Sequence, residues 1–433
     1  MARTLGASPV RTTRTPFAFL AAMALAGACV GASSSSVSPL PGLSSSSSSA
    51  QTPSPPGATS RASAETPAAN PVRTAATTAS PARPSDSTAP VAAWTRTGSL
   101  ITSRSDHLAI RLADGRMLVA GGSTDWPMGP EGILASAELY DPASGAWSRT
   151  GDMVGRRNTG SVFLLNDGRV LVVGASTPGP IFTDAEIYVP DSGTWRSIST
   201  VRHVPWQAMA VRLADGRLLI AGGASSDASS GSLASAQLYD PATDTWSATA
   251  SMPRACSDCR GLLLNDGRVF VTGGSTEDGY TIGLLYSPLA ARWSLTTPPS
   301  QRGPIRALVL LRNGHVLALH EEPASAELYD PVAGSWSMTT SRKSAGDLSS
   351  VTSLADGRVL ITVADIYSDS EPPNWAEIYD PARGSWSSAG TTIAHRLFHS
   401  ATLLADGRVL VAGGSTSGGA TTSAEIFDPA ALP

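Results

Sequence analysis

The chain has 433 residues, 31 basic against 35 acidic side chains and a net charge of −4, and Lys343 is its one lysine. Residues 1–93 hold six arginines against Glu65 and Asp86, which leaves the remainder with 25 basic and 33 acidic residues. A mildly acidic chain without a basic run argues against a nucleic-acid partner and against a polybasic membrane patch. Three cysteines are too few for a disulfide scaffold.

Arg3, Arg11 and Arg14 precede the apolar run Phe17 to Ala26. A basic start followed by about a dozen apolar residues predicts an export signal over 1–28, too short to span a bilayer. The run ends Leu25-Ala26-Gly27-Ala28-Cys29, which resembles the bacterial lipobox, with Leu25 one place early. That resemblance implies acylation at Cys29 and an outer-membrane or cell-surface lipoprotein, with a secreted or periplasmic protein as the alternative. Any membrane association would run through the lipid anchor alone.

Residues 29–93 are dominated by Ser, Thr, Pro and Ala and hold no aromatic residue. Such a segment cannot bury enough apolar area to offset the entropy of ordering, so it is predicted to be a disordered tether.

From residue 94 the chain repeats itself. An Asp-Gly-Arg signature has its glycine at 115, 168, 216, 267, 357 and 407, and Asn313-Gly314-His315 is a seventh copy. Leucine stands three places before each glycine, and an apolar run follows it. In four units that run ends in a glycine pair: 121–122, 222–223, 273–274 and 413–414. Ala137-Glu138-Leu139-Tyr140 and its relatives come next, and in six units a tryptophan follows: Trp147, Trp195, Trp246, Trp293, Trp336 and Trp386. Each unit reads as four short strands, a to d, with Asp-Gly as a two-residue hairpin turn between a and b. One such unit cannot bury both its faces, so the units must stack around an axis.

With these glycine pairs and spaced Tyr and Trp, residues 94–433 resemble the kelch family. The resemblance implies an all-β, seven-bladed kelch-type β-propeller. The last unit stops at Phe427-Asp428-Pro429 without a tryptophan strand, and an orphan Trp94-Thr95-Arg96 precedes the first unit. The N-terminal strand is therefore expected to complete the last blade and close the ring, which removes two open sheet edges.

The a–b and c–d turns are nearly uniform and share one face of the disc, while the b–c and d–a loops vary and share the other. Variable loops on a rigid scaffold are where function usually lives. Aromatics not absorbed by the repeat fall there: Trp126, Phe182, Trp206, Tyr280, Tyr367 and Trp375. Such a rim suits stacking on sugars or anchoring a protein. Where most units have two glycines, the fifth has His320-Glu321-Glu322. The sixth continues into Asp365, Tyr367, Asp369 and Glu371. Carboxylates beside a histidine suit a polar ligand or a hard cation, against the simpler reading of a solvated acidic rim.

The inner strand offers a second candidate. Eight places before the signature glycine stand His107, Arg306 and His399, among others, and Arg104 and Arg396 lie three places before the two histidines. Two histidines in neighbouring units can begin a metal site, but no third ligand is evident. The arginines would oppose a cation and favour an anion. Satisfied polar residues lining the channel are the simpler reading. Cys256 and Cys259 form a C-x-x-C that, in an exported chain, points to a short disulfide.

No cofactor motif and no complete metal set occurs. The sequence thus favours a binding or scaffolding module for a protein or glycan partner. The alternative is an exported carbohydrate-directed enzyme, oxidase-like or epimerase-like. Kelch-type copper radical oxidases use a Tyr-His pair, and this chain has no Tyr-His dipeptide.

Overall fold

The computed structural model describes residues 93–124, 132–174, 185–198, 204–225, 231–275, 282–301, 303–320, 324–342, 346–364 and 374–432. These residues form seven four-stranded antiparallel sheets, each in the order a-b-c-d from axis to rim. In blade 1 the strands are Leu108–Arg111, Met117–Ala120, Ala137–Asp141 and Ala146–Arg149. Strands b and c are buried along almost their whole length, because blades cover them on both sides. That is why they read as unbroken apolar runs and not as an alternating pattern.

The ring closes as the repeats predict. Trp94–Arg96 is the outer strand of blade 7 and pairs antiparallel with Ala424–Phe427, Trp94 opposite Phe427. The two rings lie 4.8 Å apart, and the Trp94 indole donates to the Ala389 carbonyl of blade 6 at 2.8 Å. Strand a of blade 1 touches strand a of blade 2 on one side and of blade 7 on the other.

The same two contacts recur between blades. Trp147 donates to the Gly98 carbonyl, Trp293 to Ala250 and Trp336 to Thr297, each on the blade before it. Tyr140, Tyr188, Tyr286 and Tyr329 bond Thr97, Thr150, Thr249 and Thr296 in the same way. At these interfaces one repeat therefore supplies both the apolar body and the polar tip.

The a–b turn differs from the two-residue hairpin expected. Leu112 N donates to Arg116 O and Gly115 N to Leu112 O, so Ala113-Asp114-Gly115 form a three-residue loop. Only Gly115 among these takes positive φ, at +91°. A turn of helical-type residues followed by one left-handed glycine needs glycine once, not twice. Asp114 serves a different purpose: its carboxylate accepts from the Arg116 backbone and from the Arg116 guanidinium at 3.0 and 2.8 Å. In blades 2 and 4 the signature arginine also reaches across, Arg169 to the Pro241 carbonyl and Arg268 to the Pro331 carbonyl. Its recurrence thus has a structural cause.

Candidate functional site

The b–c and d–a loops are anchored from inside by strand c. Glu138 is fully buried. Its carboxylate accepts from the Ile101 and Thr102 backbone at 2.7 and 2.9 Å and from Arg104 at 2.7 Å. Glu186 holds Val154, Gly155 and Arg157 in the same way, and Glu425 holds Ile393, Ala394 and Arg396. A buried carboxylate needs both donors and a cation, and this clamp provides both.

Arg104 and Arg396 are therefore not free for an anion in the channel, as the sequence suggested. Both are fully buried and committed to Glu138 and Glu425, and each also donates to backbone carbonyls, Arg104 to Gly121 and Arg396 to Gly413 and Ser423. Sequence reasoning missed this because the glutamates look like ordinary strand polar residues. A signal was present in the repeats themselves. Where the arginine becomes Pro205 the acid becomes Gln237, and where it becomes Cys256 the acid becomes Leu284.

His107 and His399 occupy equivalent places on blades 1 and 7, and each ring is bonded to a hydroxyl and not to the other ring. His107 Nε2 pairs with Ser400 Oγ at 2.8 Å, and His399 Nε2 pairs with Thr362 Oγ1 at 2.8 Å, each reaching to the preceding blade. Burial pushes both imidazoles down to about 3, helped by the Arg104 and Arg396 charges, so both rings are neutral near pH 7. Asp106 beside His107 has one unpartnered buried oxygen, and burial pushes its carboxyl up to about 7. Arg306 lies in strand a of blade 5, where its carbonyl accepts from the Arg260 guanidinium at 3.2 Å. Among the described residues no three His, Cys, Asp or Glu side chains stand together as metal ligands do.

His320 takes the place of the first glycine in blade 5. It is fully buried, with Nε2 3.1 Å from the Glu327 carboxylate, so it faces the interior and not an acidic rim. Among the described residues of blade 5, His320 is the basic side chain paired with the buried carboxylate. Burial pulls His320 below its ordinary value while Glu327 pulls back. Arg342 donates to the His320 carbonyl at 3.0 Å. Glu321, Glu322, Asp365, Tyr367, Asp369, Glu371, Trp126, Phe182 and Tyr280 lie outside the described residues, as does Cys29.

Two of the loop aromatics are described. Trp375 opens strand c of blade 6, opposite Val363 and Thr391, and is 37% exposed. Trp206 is half-buried in the loop entering blade 3, and its carbonyl accepts from Ala224 N at 2.7 Å. The clamps present three further apolar side chains on consecutive blades: Ile393 on 7, Ile101 on 1 and Val154 on 2, all exposed. Periodicity did not single these out, since one exposed aliphatic per loop is unremarkable in a sequence.

Cys256 and Cys259 are both buried, with their sulfurs in contact and Cα atoms 6.1 Å apart, a separation that suits a disulfide.

Residues 208–253 match the Kelch motif family model. With seven such blades in the ring, that match supports a kelch-repeat propeller. No curated protein matches the chain. Among solved structures, a fungal alcohol oxidase of the AA5 family in complex with copper is similar at 18% identity and a TM-score of 0.40. The match covers 62% of this chain and 73% of that one. A likeness at that level says nothing about activity.

Proposed function

We propose that this kelch-repeat propeller is an exported, lipid-anchored binding or scaffolding module that docks a protein or glycan partner on its b–c/d–a face. The observation that carries the reading is where the chain enters the ring. Ala93 lies beside Asp428 at the Asp-Pro end of blade 7, and Asp428 N donates to the Ala93 carbonyl at 2.8 Å. The chain therefore enters the ring at Ala93 on the side opposite the b–c/d–a loops. The loops there differ from blade to blade and carry Trp206 and Trp375, and in blades 1, 2 and 7 a buried carboxylate holds the d–a loop from below. A face held in this way loses less entropy on binding than a mobile one.

The test is a glycan array together with capture from an envelope fraction, run with the native chain and a Trp206→Ala/Trp375→Ala variant. The reading expects a glycan or protein held by the native chain and released at least tenfold more readily by the variant. A ligand held equally by both would place recognition elsewhere.

A further inference from the structure

The segment Cys256–Cys259 enters blade 4 where blades 1 and 7 place an arginine and a histidine. Backbone bonds fix the equivalence. Cys256 N donates to the Leu233 carbonyl, as Arg157 N does to Leu134 and Arg104 N to Thr421. The Cys256 carbonyl accepts from Gly223 N, as the Arg104 carbonyl accepts from Gly414 N, both at 2.8 Å. Blades 1, 2 and 7 lock this residue with a buried carboxylate. Blade 4 has Leu284 at the carboxylate position, packed in the same apolar cluster as both cysteines. With no carboxylate to hold an arginine, a bond between the sulfurs takes over the clamp's task.

This four-residue loop grips the neighbouring loop on two sides. Asp258, inside it, donates its N–H to the Gln207 carbonyl at 3.1 Å. Both residues are left-handed, Asp258 at φ 56° and Gln207 at φ 57°, as are their counterparts Asp106 at 53° and Phe398 at 54° between blades 1 and 7, where the Arg104–Glu138 pair and not a disulfide fixes the loop. On the other side Gly223 is bonded to the Cys256 carbonyl, and the next residue, Ala224, donates to the Trp206 carbonyl at 2.7 Å. Trp206-Gln207 is thus tied to the cysteine loop directly at one residue and through Gly223-Ala224 at the other.

We propose that Cys256–Cys259 is a redox-controlled brace that sets the position of Trp206. The proposal rests on Trp206 belonging to the binding face. A dithiol donates two electrons and two protons to the S–S bond. The protein then carries two thiols, and the donor leaves as its own disulfide. Once the four-residue ring opens, Asp258 relaxes from its left-handed conformation, its bond to Gln207 is lost, and the Trp206 loop loosens. Both cysteines are buried, so reduction waits on local opening and the switch is slow.

Amide hydrogen exchange on the full chain tests this, before and after dithiothreitol and in a Cys256→Ser/Cys259→Ser variant. Exchange at Asp258 and Ala224 should rise at least tenfold on reduction. The variant should match the reduced chain and ignore dithiothreitol. Gly414 and Asp106, the counterparts at the blade 7–blade 1 interface, should not change. Equal exchange in oxidised and reduced chains would overturn the proposal, as would a rise spread evenly over the ring or a purified chain with two free thiols. The readout uses no ligand, so a failure here leaves the binding reading standing, and loss of the binding reading leaves the brace measurable.

Discussion

Arg104 and Glu138 sit 2.7 Å apart with neither side chain exposed, and their carboxylate also holds the backbone of Ile101 and Thr102. Removing one partner strands a buried charge, which costs about 3–5 kcal/mol, whereas removing both can be close to neutral. Arg104→Leu is therefore expected to lower stability by that amount, and Arg104→Leu/Glu138→Leu by clearly less. Blade 4 already carries an uncharged pair at these two places. Urea unfolding of the single and double variants checks this.

Two glycines separate backbone strain from steric overlap. Gly115 has φ +91° with nothing within 4 Å of where a Cβ would stand, so Gly115→Ala should cost about 1 kcal/mol. Gly121 has φ +68°, and a Cβ there would run into the Arg157 carbonyl oxygen. Gly121→Ala should cost about 3 kcal/mol or more, since the next blade must shift. A gap of that size in thermal unfolding separates the two cases.

Trp94 closes the ring through Phe427 and Ala389. Trp94→Ala should cost about 3–5 kcal/mol and free the outer edge of blade 7 for pairing between chains. Differential scanning calorimetry reads the first effect and size-exclusion chromatography over a concentration series reads the second.

The buried titratable groups oppose one another in pH. His107 and His399 have folded values near 3, against an unfolded value of about 6.5. Unfolding takes up protons between these limits, so their stabilisation is full above about pH 6.5 and is lost as pH falls towards 3. Asp106, raised to about 7, runs the other way: its contribution is full below about pH 3.8 and is lost as pH rises through 7. Asp106→Asn should accordingly be more stable than the native chain at pH 8, by about 1 kcal/mol or more, with the gap closing near pH 3.5. His107→Gln should flatten the fall in stability between pH 6.5 and 4. Urea midpoints across that range decide both.

The ring was legible because seven copies of one unit were on display. The Asp-Gly glycines, the Tyr-Trp pairs and the orphan Trp94 each had a fixed place that only a closed ring satisfies. The a–b turn was misjudged because Asp-Gly fits two turn types and differs only in whether aspartate takes positive φ. The charged interior was missed because Glu138 sits in a strand buried on both faces, where period-two reasoning gives no inward or outward side. The paired loss of Arg and Glu at Pro205/Gln237 and Cys256/Leu284 is a partial signal, since Glu327 and Glu377 are kept where the arginine position is Gly303 and Gly346. The variable face was legible as a location, but its anchoring was not, since backbone bonds to Glu186 and Glu425 leave no mark on loop composition.

We propose that partners dock on the b–c/d–a face. Hydroxyl-radical footprinting of the full chain with and without its captured glycan or protein tests it most directly. The account predicts protection at Trp206 and Trp375 and at Ile101, Val154 and Ile393 on the same side, with no change at Leu289 and Val332 in the c–d turns, which are fully exposed. Protection of Leu289 and Val332 with Trp206 and Trp375 unaltered would contradict it and move recognition to the opposite face.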